Sequence, residues 1–284
     1  MLNYTPHIQT IHYKEIEIGV LRLDLIHPEI SGNKWFKLKY NIEQAKVENK
    51  DTLITFGGAY SNHIAATAAA CKLFQLKCIG IIRGEKTAEN NSTLKLAQQQ
   101  GMELMFVTRE EYKQKNNTTY LQQLQQQYPN AYIIPEGGDN ELGAKGCKEI
   151  ITNTLKIYEH FFCAYGTGTT FKGIANSLQP HQSLTGINVL KYQAETDLSR
   201  CTIHNNFHCG GYAKHNQELL LFKQWFETTY HIPLDYIYTA KLFFAVFELI
   251  NQQHLTNKQK ILIIHSGGLQ GNKGYEERYN IILK

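Results

Sequence analysis

Apolar and polar residues alternate with period two over residues 8–26, IQTIHY and IGVLRLDLI around the polar KEIE. This predicts two strands joined by a turn. From Lys34 to Val47 the period changes: Trp35, Leu38, Ile42 and Ala45 recur at three- and four-residue spacing. That predicts a helix, with Ser31 or Asn33 as its cap. From residue 51, buried-strand runs alternate with helical stretches. TLITF, KCIGII, ELMFV and AYIIP read as strands, separated by SNHIAATAAACKLF, NNSTLKLAQQQ and TTYLQQLQQQY as helices. Three such crossovers imply a parallel sheet with helices on both faces. The second half continues in the same way. LGAKGCKEIITNTLKI is predicted helical, HFFCAY and TGINVLKY as strands, QELLLFKQWFETTY as an amphipathic helix and KILIIH as a last strand. DYIYTAKLFFAVFELINQQH is expected to begin extended and continue as a buried helix.

No linker separates the two halves. The expected organisation is a smaller α/β domain, residues 48–145, inserted in a larger one formed by 1–47 and 146–284. Glycines follow the predicted strands at 57–58, 84, 137–138, 166–168 and 267–268. In open α/β sheets the ligand crevice lies at those strand ends.

Composition narrows the chemistry. The 284 residues carry 29 basic and 25 acidic side chains, a net charge of +4. So small an excess argues against a nucleic-acid binder. No window is apolar enough to cross a membrane, and the first residues lack a signal-peptide core. The six cysteines form no CxxC pair or zinc spacing, so reduced thiols in a cytoplasmic protein are expected and no metal.

Four motifs carry candidate chemistry. Gly166, Thr167, Gly168, Thr169 and Thr170 lie between a strand and a helix, as a cup for an anion such as phosphate, or as a plain turn. The spacing matches neither the dinucleotide fingerprint nor the Walker loop. GGAYSNH puts Ser61 and Asn62 at a helix start, where one should cap and where a carboxylate is also welcome. His63 reads as a packed histidine or a supporting donor. Lys34, in SGNKWFKLKY, would need burial or a like charge such as Lys37 to become a neutral amine able to attack a carbonyl. Tyr212, Tyr238 and Thr239 stand near predicted strand ends, as donors or as edge packing.

Taken in order, SGNKWFKLKY, GGAYSNH, GTGTT and YTAK resemble the family of D-cysteine desulfhydrase and 1-aminocyclopropane-1-carboxylate deaminase. The resemblance runs from Gly32 to Gly268. It implies a fold type II, tryptophan-synthase-beta-like enzyme with two open parallel-sheet domains, pyridoxal 5'-phosphate as cofactor, a small amino acid as substrate and a homodimer. By the same resemblance, Lys34 carries the cofactor and Asn62 meets its ring hydroxyl. Gly166 to Thr170 cradle its phosphate, and Thr239 stands beside its pyridine nitrogen. Ser61, with His63 and Tyr212, meets the substrate, and Ser61, Tyr212 and Tyr238 assist catalysis. A hydroxyl at Thr239, where the deaminase has a glutamate, favours α,β-elimination of D-cysteine or a related amino acid over cyclopropane ring opening. Trp35 and Phe36 replace the small Thr and the Arg of the family pattern. A non-catalytic small-molecule binder on the same scaffold is the reading from another class.

Overall fold

The structure is a computed structural model that describes residues 2–85 and 91–281. Its strands form two sheets. One has six strands, β1 (Ile8–Tyr13), β2 (Ile16–Arg22), β10 (Ile261–His265), β7 (His160–Tyr165), β8 (Ser183–Asn188) and β9 (Cys201–His204), in that spatial order. Only the β1–β2 hairpin is antiparallel. The other sheet has four parallel strands, ordered β5 (Met102–Val107), β4 (Lys77–Arg83), β3 (Thr52–Gly58) and β6 (Ala131–Ile134).

Both sheets are buried on two faces, as parallel sheets require. Between them lies a core in which Trp35 and Phe36 of α1 (Asn33–Val47) and the alanine-rich face of α2 (Asn62–Phe74) meet Leu53, Phe161 and Phe171. The outer face of the six-stranded sheet is covered by the aromatic faces of α8 (Gln217–Tyr230) and α9 (Thr239–Asn251). The outer face of the four-stranded sheet is closed by Tyr112 of α4 (Arg109–Tyr112) and Leu124 of α5 (Thr118–Gln127). Trp35 and Phe36 are each 1 % exposed, so the two residues that depart from the family pattern are core. The fold is the expected one, two parallel-sheet units flanked by helices. All strands of the smaller sheet lie within residues 48–145, the division we propose. Its second edge falls inside α6 (Glu141–Lys148).

Several elements differ from expectation. The helix over 142–157 stops at Lys148, and only Asn153–Leu155 resumes as a 3-10 turn. The β-branched run Ile150, Ile151, Thr152 disfavours continuation. The helix expected from Asn90 runs as α3 over Ser92–Gln99 with Asn91 as cap; Asn90 lies outside the described residues. Strand β9 and the helices α4 and α10 (Asn272–Tyr279) are short, and their residues show no clear period. No helix among the described residues is long and apolar enough to cross a membrane.

Candidate active site

The loops at the carboxyl ends of β2, β3, β6, β7 and β10 converge. Two of them interlock. Gly32 has φ +68°, and a Cβ there would lie 1.8 Å from Ser266 O. A Cβ on Gly267 would lie 2.9 Å from Gly32 Cα. Only glycine permits this backbone-on-backbone approach. The Asn33 amide donates to Ser266 O at 3.2 Å, so the loop after β10 holds the start of α1.

Neither Ser31 nor Asn33 caps α1. Gly32 occupies the N-cap position, with no side-chain hydrogen bond to the helix. Asn33 is used elsewhere: Nδ2 donates to Thr170 Oγ1 at 2.8 Å and Oδ1 accepts from Lys34 Nζ at 2.8 Å. This one side chain joins the lysine to the glycine–threonine loop across 137 residues.

Burial, and next the charge of Lys37, push the Lys34 ammonium down to about 7, against the pull of Asp235 and Cys147. Lys37, one turn along α1, is 6 % exposed, and burial lowers its pKa too. Neither amine has an ion-pair partner among the described residues. His63 lies in the same field: burial, then Lys34 and Lys37, hold its pKa well below the usual range. Hydrogen-bond accounting fixes its tautomer. Thr55 Oγ1 donates its single proton to Ile134 O at 3.0 Å and therefore accepts from His63 Nε2 at 2.9 Å. His63 Nδ1 is thus a bare acceptor, buried and unpartnered among the described residues. The expected supporting donor is spent on Thr55; the ring offers the site a lone pair instead.

Ser61 caps α2, its Oγ accepting from the Ile64 amide at 3.3 Å, which leaves the hydroxyl proton free. Asn62 is 6 % exposed with Oδ1 unpartnered. It lies against the glycines after β10: a Cβ on Gly268 would come within 2.5 Å of Asn62 Nδ2, and one on Gly271 within 2.9 Å of Oδ1.

The loop from Gly166 to Thr170 leads into α7 (Thr169–Ala175), which no side chain caps. Gly168 has φ +93°, and Cβ there would press on Tyr165 at 3.0 Å. The threonines are partly committed. Thr169 donates to Asp139 Oδ1 at 2.6 Å and therefore accepts from Thr167 at 3.0 Å. Thr170 accepts from Asn33 and keeps its proton. For an anion the loop therefore presents backbone amides and the Thr170 hydroxyl.

Asp235 and Thr239 form a closed unit at the start of α9. The Asp235 carboxylate accepts from the amides of Ile237, Tyr238 and Thr239 at 2.9, 3.0 and 2.7 Å. Thr239 Oγ1 donates to Asp235 Oδ1 at 2.8 Å and accepts from the Asp235 amide at 2.6 Å. The hydroxyl expected beside a ring nitrogen is thus tied to a buried carboxylate. Tyr238 places its ring 5.8 Å from Lys34 Nζ, and burial, then Tyr212 and Asp235, raise its pKa well above the ordinary value. Tyr212 is further out, 38 % exposed, at the mouth of a 1530 Å³ cavity that also reaches Gly58, Ala59 and Tyr60. Desolvation in that mouth, then Glu136, pushes it up to about 12. Lys241 Nζ, buried, donates to Gly211 O at 2.6 Å and so holds the backbone beside Tyr212.

The structure therefore gathers Lys34, Ser61, Asn62, His63, Gly166 to Thr170, Tyr238 and Thr239 around the strand ends, with Tyr212 at the rim. Reading the sequence missed Asp139, Asp235 and Lys241 as positioning groups and treated Lys37 only as support. A buried trio was also missed. Arg22 Nη2 contacts Asp24 Oδ2 at 2.6 Å, Asp24 Oδ1 lies 3.1 Å from His265 Nδ1, and His265 Nε2 lies 2.7 Å from Pro233 O. It ties the ends of β2 and β10 to the segment that leads to Asp235. The only sequence signal was charge placed next to apolar strands.

Three comparisons bear on this site. The profile of the family described as pyridoxal-phosphate dependent enzymes matches residues 9–209. A Thermotoga maritima protein provisionally named 1-aminocyclopropane-1-carboxylate deaminase is 28% identical, covering 89% of each chain. A D-cysteine desulfhydrase of Salmonella paratyphi A is 27% identical over 94% of this chain and 90% of its own. Among solved structures, a 1-aminocyclopropane-1-carboxylate deaminase homologue superposes with a TM-score of 0.83 over 98% of this chain and 93% of its own. At 23% identity that likeness is one of fold. With the profile spanning most of the chain, the protein belongs to the pyridoxal-phosphate dependent enzyme family.

Proposed function

We propose that the chain is a pyridoxal-phosphate-dependent lyase that eliminates the β-substituent of a small amino acid, D-cysteine or a relative, to give pyruvate, ammonia and the leaving group. The observation that carries this reading is Lys34: a lysine with its pKa lowered to about 7, joined through Asn33 to an uncapped glycine–threonine loop. At that pKa about half of the amine is neutral near pH 7; an ordinary lysine would be almost wholly charged.

The residues present fit the cofactor. The buried, unpartnered Asn62 amide oxygen lies among glycines that a side chain would fill. The Gly168 turn exposes amides for a phosphate, and Lys37 supplies a buried cation on the same side of α1 as Lys34. In this reading Lys34, Asn62, the backbone amides of Gly166 to Thr170 and the Thr170 hydroxyl hold the cofactor, while Thr239, its proton spent on Asp235, only borders it. Pyridoxal phosphate, when bound, supplies an aldehyde for an amine and an electron sink for the carbon next to it.

The chain's own groups do the rest. Ser61, with its free proton and the α2 amides behind it, binds the substrate carboxylate. Lys34 takes the proton from the substrate Cα and can return it. His63 accepts a hydrogen bond at Nδ1 without competing for charge. Tyr238 and Tyr212 stay protonated, since their pKa values are raised, and offer donors to the departing β-group. Opening of 1-aminocyclopropane-1-carboxylate is the second reading; the neutral phenol of Tyr238 beside Lys34 favours it. A cytoplasmic homodimer completes the proposal, to be checked by light scattering.

The deciding assay is keto-acid release from D-cysteine, L-cysteine, D-serine, β-chloro-D-alanine and 1-aminocyclopropane-1-carboxylate. It is paired with borohydride reduction and mass spectrometry of the Lys34 peptide. We expect yellow protein, cofactor fixed on Lys34 and pyruvate from a β-substituted amino acid. Colourless protein that takes up no pyridoxal phosphate would refute the reading.

A further inference from the structure

The 1530 Å³ cavity is far larger than a cysteine side chain requires, and its lining is one-sided in charge. It carries six Lys or Arg residues and one acid, Glu85. Lys113 is neutralised by Glu110 at 2.9 Å and Lys115 by Glu136 at 3.6 Å. Arg83 and Arg278 have no carboxylate partner among the described residues. Both are instead held by aromatic rings. The Arg83 guanidinium lies 5.5 Å from the Tyr112 ring, and that of Arg278 lies 5.4 Å from Tyr60 and 5.3 Å from Tyr279. Stacking of this kind orients a guanidinium and leaves its edge free to donate.

The two arginines come from different elements, one from the end of β4 and one from α10. Tyr212 lies in the field of both. Lone surface arginines are common and need no explanation. Two held on rings, lining one cavity with Arg109, Lys214 and Tyr212 of the candidate site, are a different arrangement. Lys34 does not line the cavity. The cavity is lined by Tyr60, the residue before Ser61, and by Tyr212 at the rim of the candidate site.

We propose that Arg83 and Arg278 select an amino acid whose side chain carries a second anionic group, a carboxylate or a phosphate ester. The carboxylate common to all amino acids goes to Ser61, and the second anion sits between the guanidiniums. The inference deepens the function proposed above and rests on it for the placement of the substrate's α-carboxylate.

Calorimetric binding to the holoprotein tests it without turnover. The probes, which carry no β-leaving group, are glutamate against glutamine and 2-amino-4-phosphonobutanoate against 2-aminobutanoate, as both enantiomers. We expect at least one acid to bind about tenfold more tightly than its neutral counterpart at low salt, with the advantage shrinking as salt is raised. Arg83→Gln and Arg278→Gln should each cut the acid-to-neutral ratio about threefold, and the double variant should bring it near one. Equal binding of acid and neutral probes by the wild type overturns the proposal, as does a ratio that survives in the double variant. Were a variant to misfold, the wild-type ratio and its salt dependence still decide. The two readings fail separately: absence of keto-acid release sinks the lyase assignment, whereas loss of acid selectivity sinks only this one.

Discussion

Replacing Lys37 by Met tests the electrostatics on which Lys34 depends. The two lysines are three residues apart on α1, a spacing that puts their Cβ atoms about 5–6 Å apart. With the charged ends about 7 Å apart, repulsion costs about 0.6 kcal/mol in a water-like medium and about 2.4 kcal/mol at an effective dielectric of about 20. One pKa unit, about 1.4 kcal/mol, lies between these. Lys37→Met removes a charge that opposes protonation, so the Lys34 pKa rises, from about 7 toward roughly 8. At pH 7 the neutral fraction falls from about a half to about a tenth. Trace acetylation of the apoprotein, read by mass spectrometry on the Lys34 peptide, should therefore drop about fivefold at that pH. Because the two amines titrate as a pair, the wild type should show a broadened curve and the variant a single one. A Lys34 midpoint that does not move in Lys37→Met refutes the like-charge argument. A wild-type midpoint equal to the ordinary lysine value refutes the burial argument as well.

Lys34→Met should stabilise the apoprotein, and more so in acid. The folded pKa of about 7 lies below the unfolded value, so the unfolded chain binds more protons between about pH 7 and 10.5, and wild-type stability rises across that window. The full penalty, at most about 5 kcal/mol, applies below pH 7. The gap between variant and wild-type urea midpoints should be larger near pH 6 than near pH 9. Asp24→Asn leaves the buried Arg22 guanidinium without its carboxylate and should cost about 3–5 kcal/mol, measured by urea unfolding followed by circular dichroism. Gly32→Ala sets a methyl group against Ser266 O in a left-handed backbone position. It should cost about 2–3 kcal/mol and weaken uptake of pyridoxal phosphate, read by the absorbance of the bound cofactor.

What could be read from the sequence was periodic or local. The switch from alternation over 8–26 to helical spacing from Lys34 gave β1, β2 and α1. The runs at 52–56, 77–82, 103–107 and 131–135 gave the four parallel strands of the smaller sheet. Ser61 as the α2 cap was legible because the capping hydroxyl and its amide are three residues apart. The cap of α1 was not. Asn33 carries the right side chain in the right place, but Thr170, 137 residues away, takes its amide. Likewise Asp24, Asp139 and Lys241 reach partners 241, 30 and 30 residues distant, at His265, Thr169 and Gly211. No local pattern encodes such pairs. Strand β9 and α10 were lost for another reason: each is short enough that its tertiary neighbours, not its own period, decide its conformation.

Several of the places where local expectation failed meet in one crevice. Away from the crevice many buried polar side chains are served, although Ser92, Thr93, Gln100, Tyr112 and Gln270 each keep a buried polar atom without a partner among the described residues. Gln182 donates to Tyr158 O at 2.9 Å, Asn188 to Asn205 at 2.7 Å, and Lys223 meets Glu227 at 2.8 Å. Within the crevice the rule is broken repeatedly. Asn62 Oδ1 and His63 Nδ1 are buried without partners, and Lys37 is 6 % exposed without an ion pair. The helix α1 begins uncapped on a glycine forced to φ +68°. The nearby carboxylates do not relieve this. Asp235 spends itself on three backbone amides and Asp139 on Thr169, so both lysines stay under-compensated and their pKa values fall. Each exception costs on the order of 1–3 kcal/mol, and those of Lys37, Asn62 and His63 fall near the starts of two neighbouring helices. A group that brought an anion to the Gly168 turn, donors to Asn62 and His63 and a carbonyl to Lys34 would relieve these side chains together, which is the role we propose for pyridoxal phosphate with an amino acid.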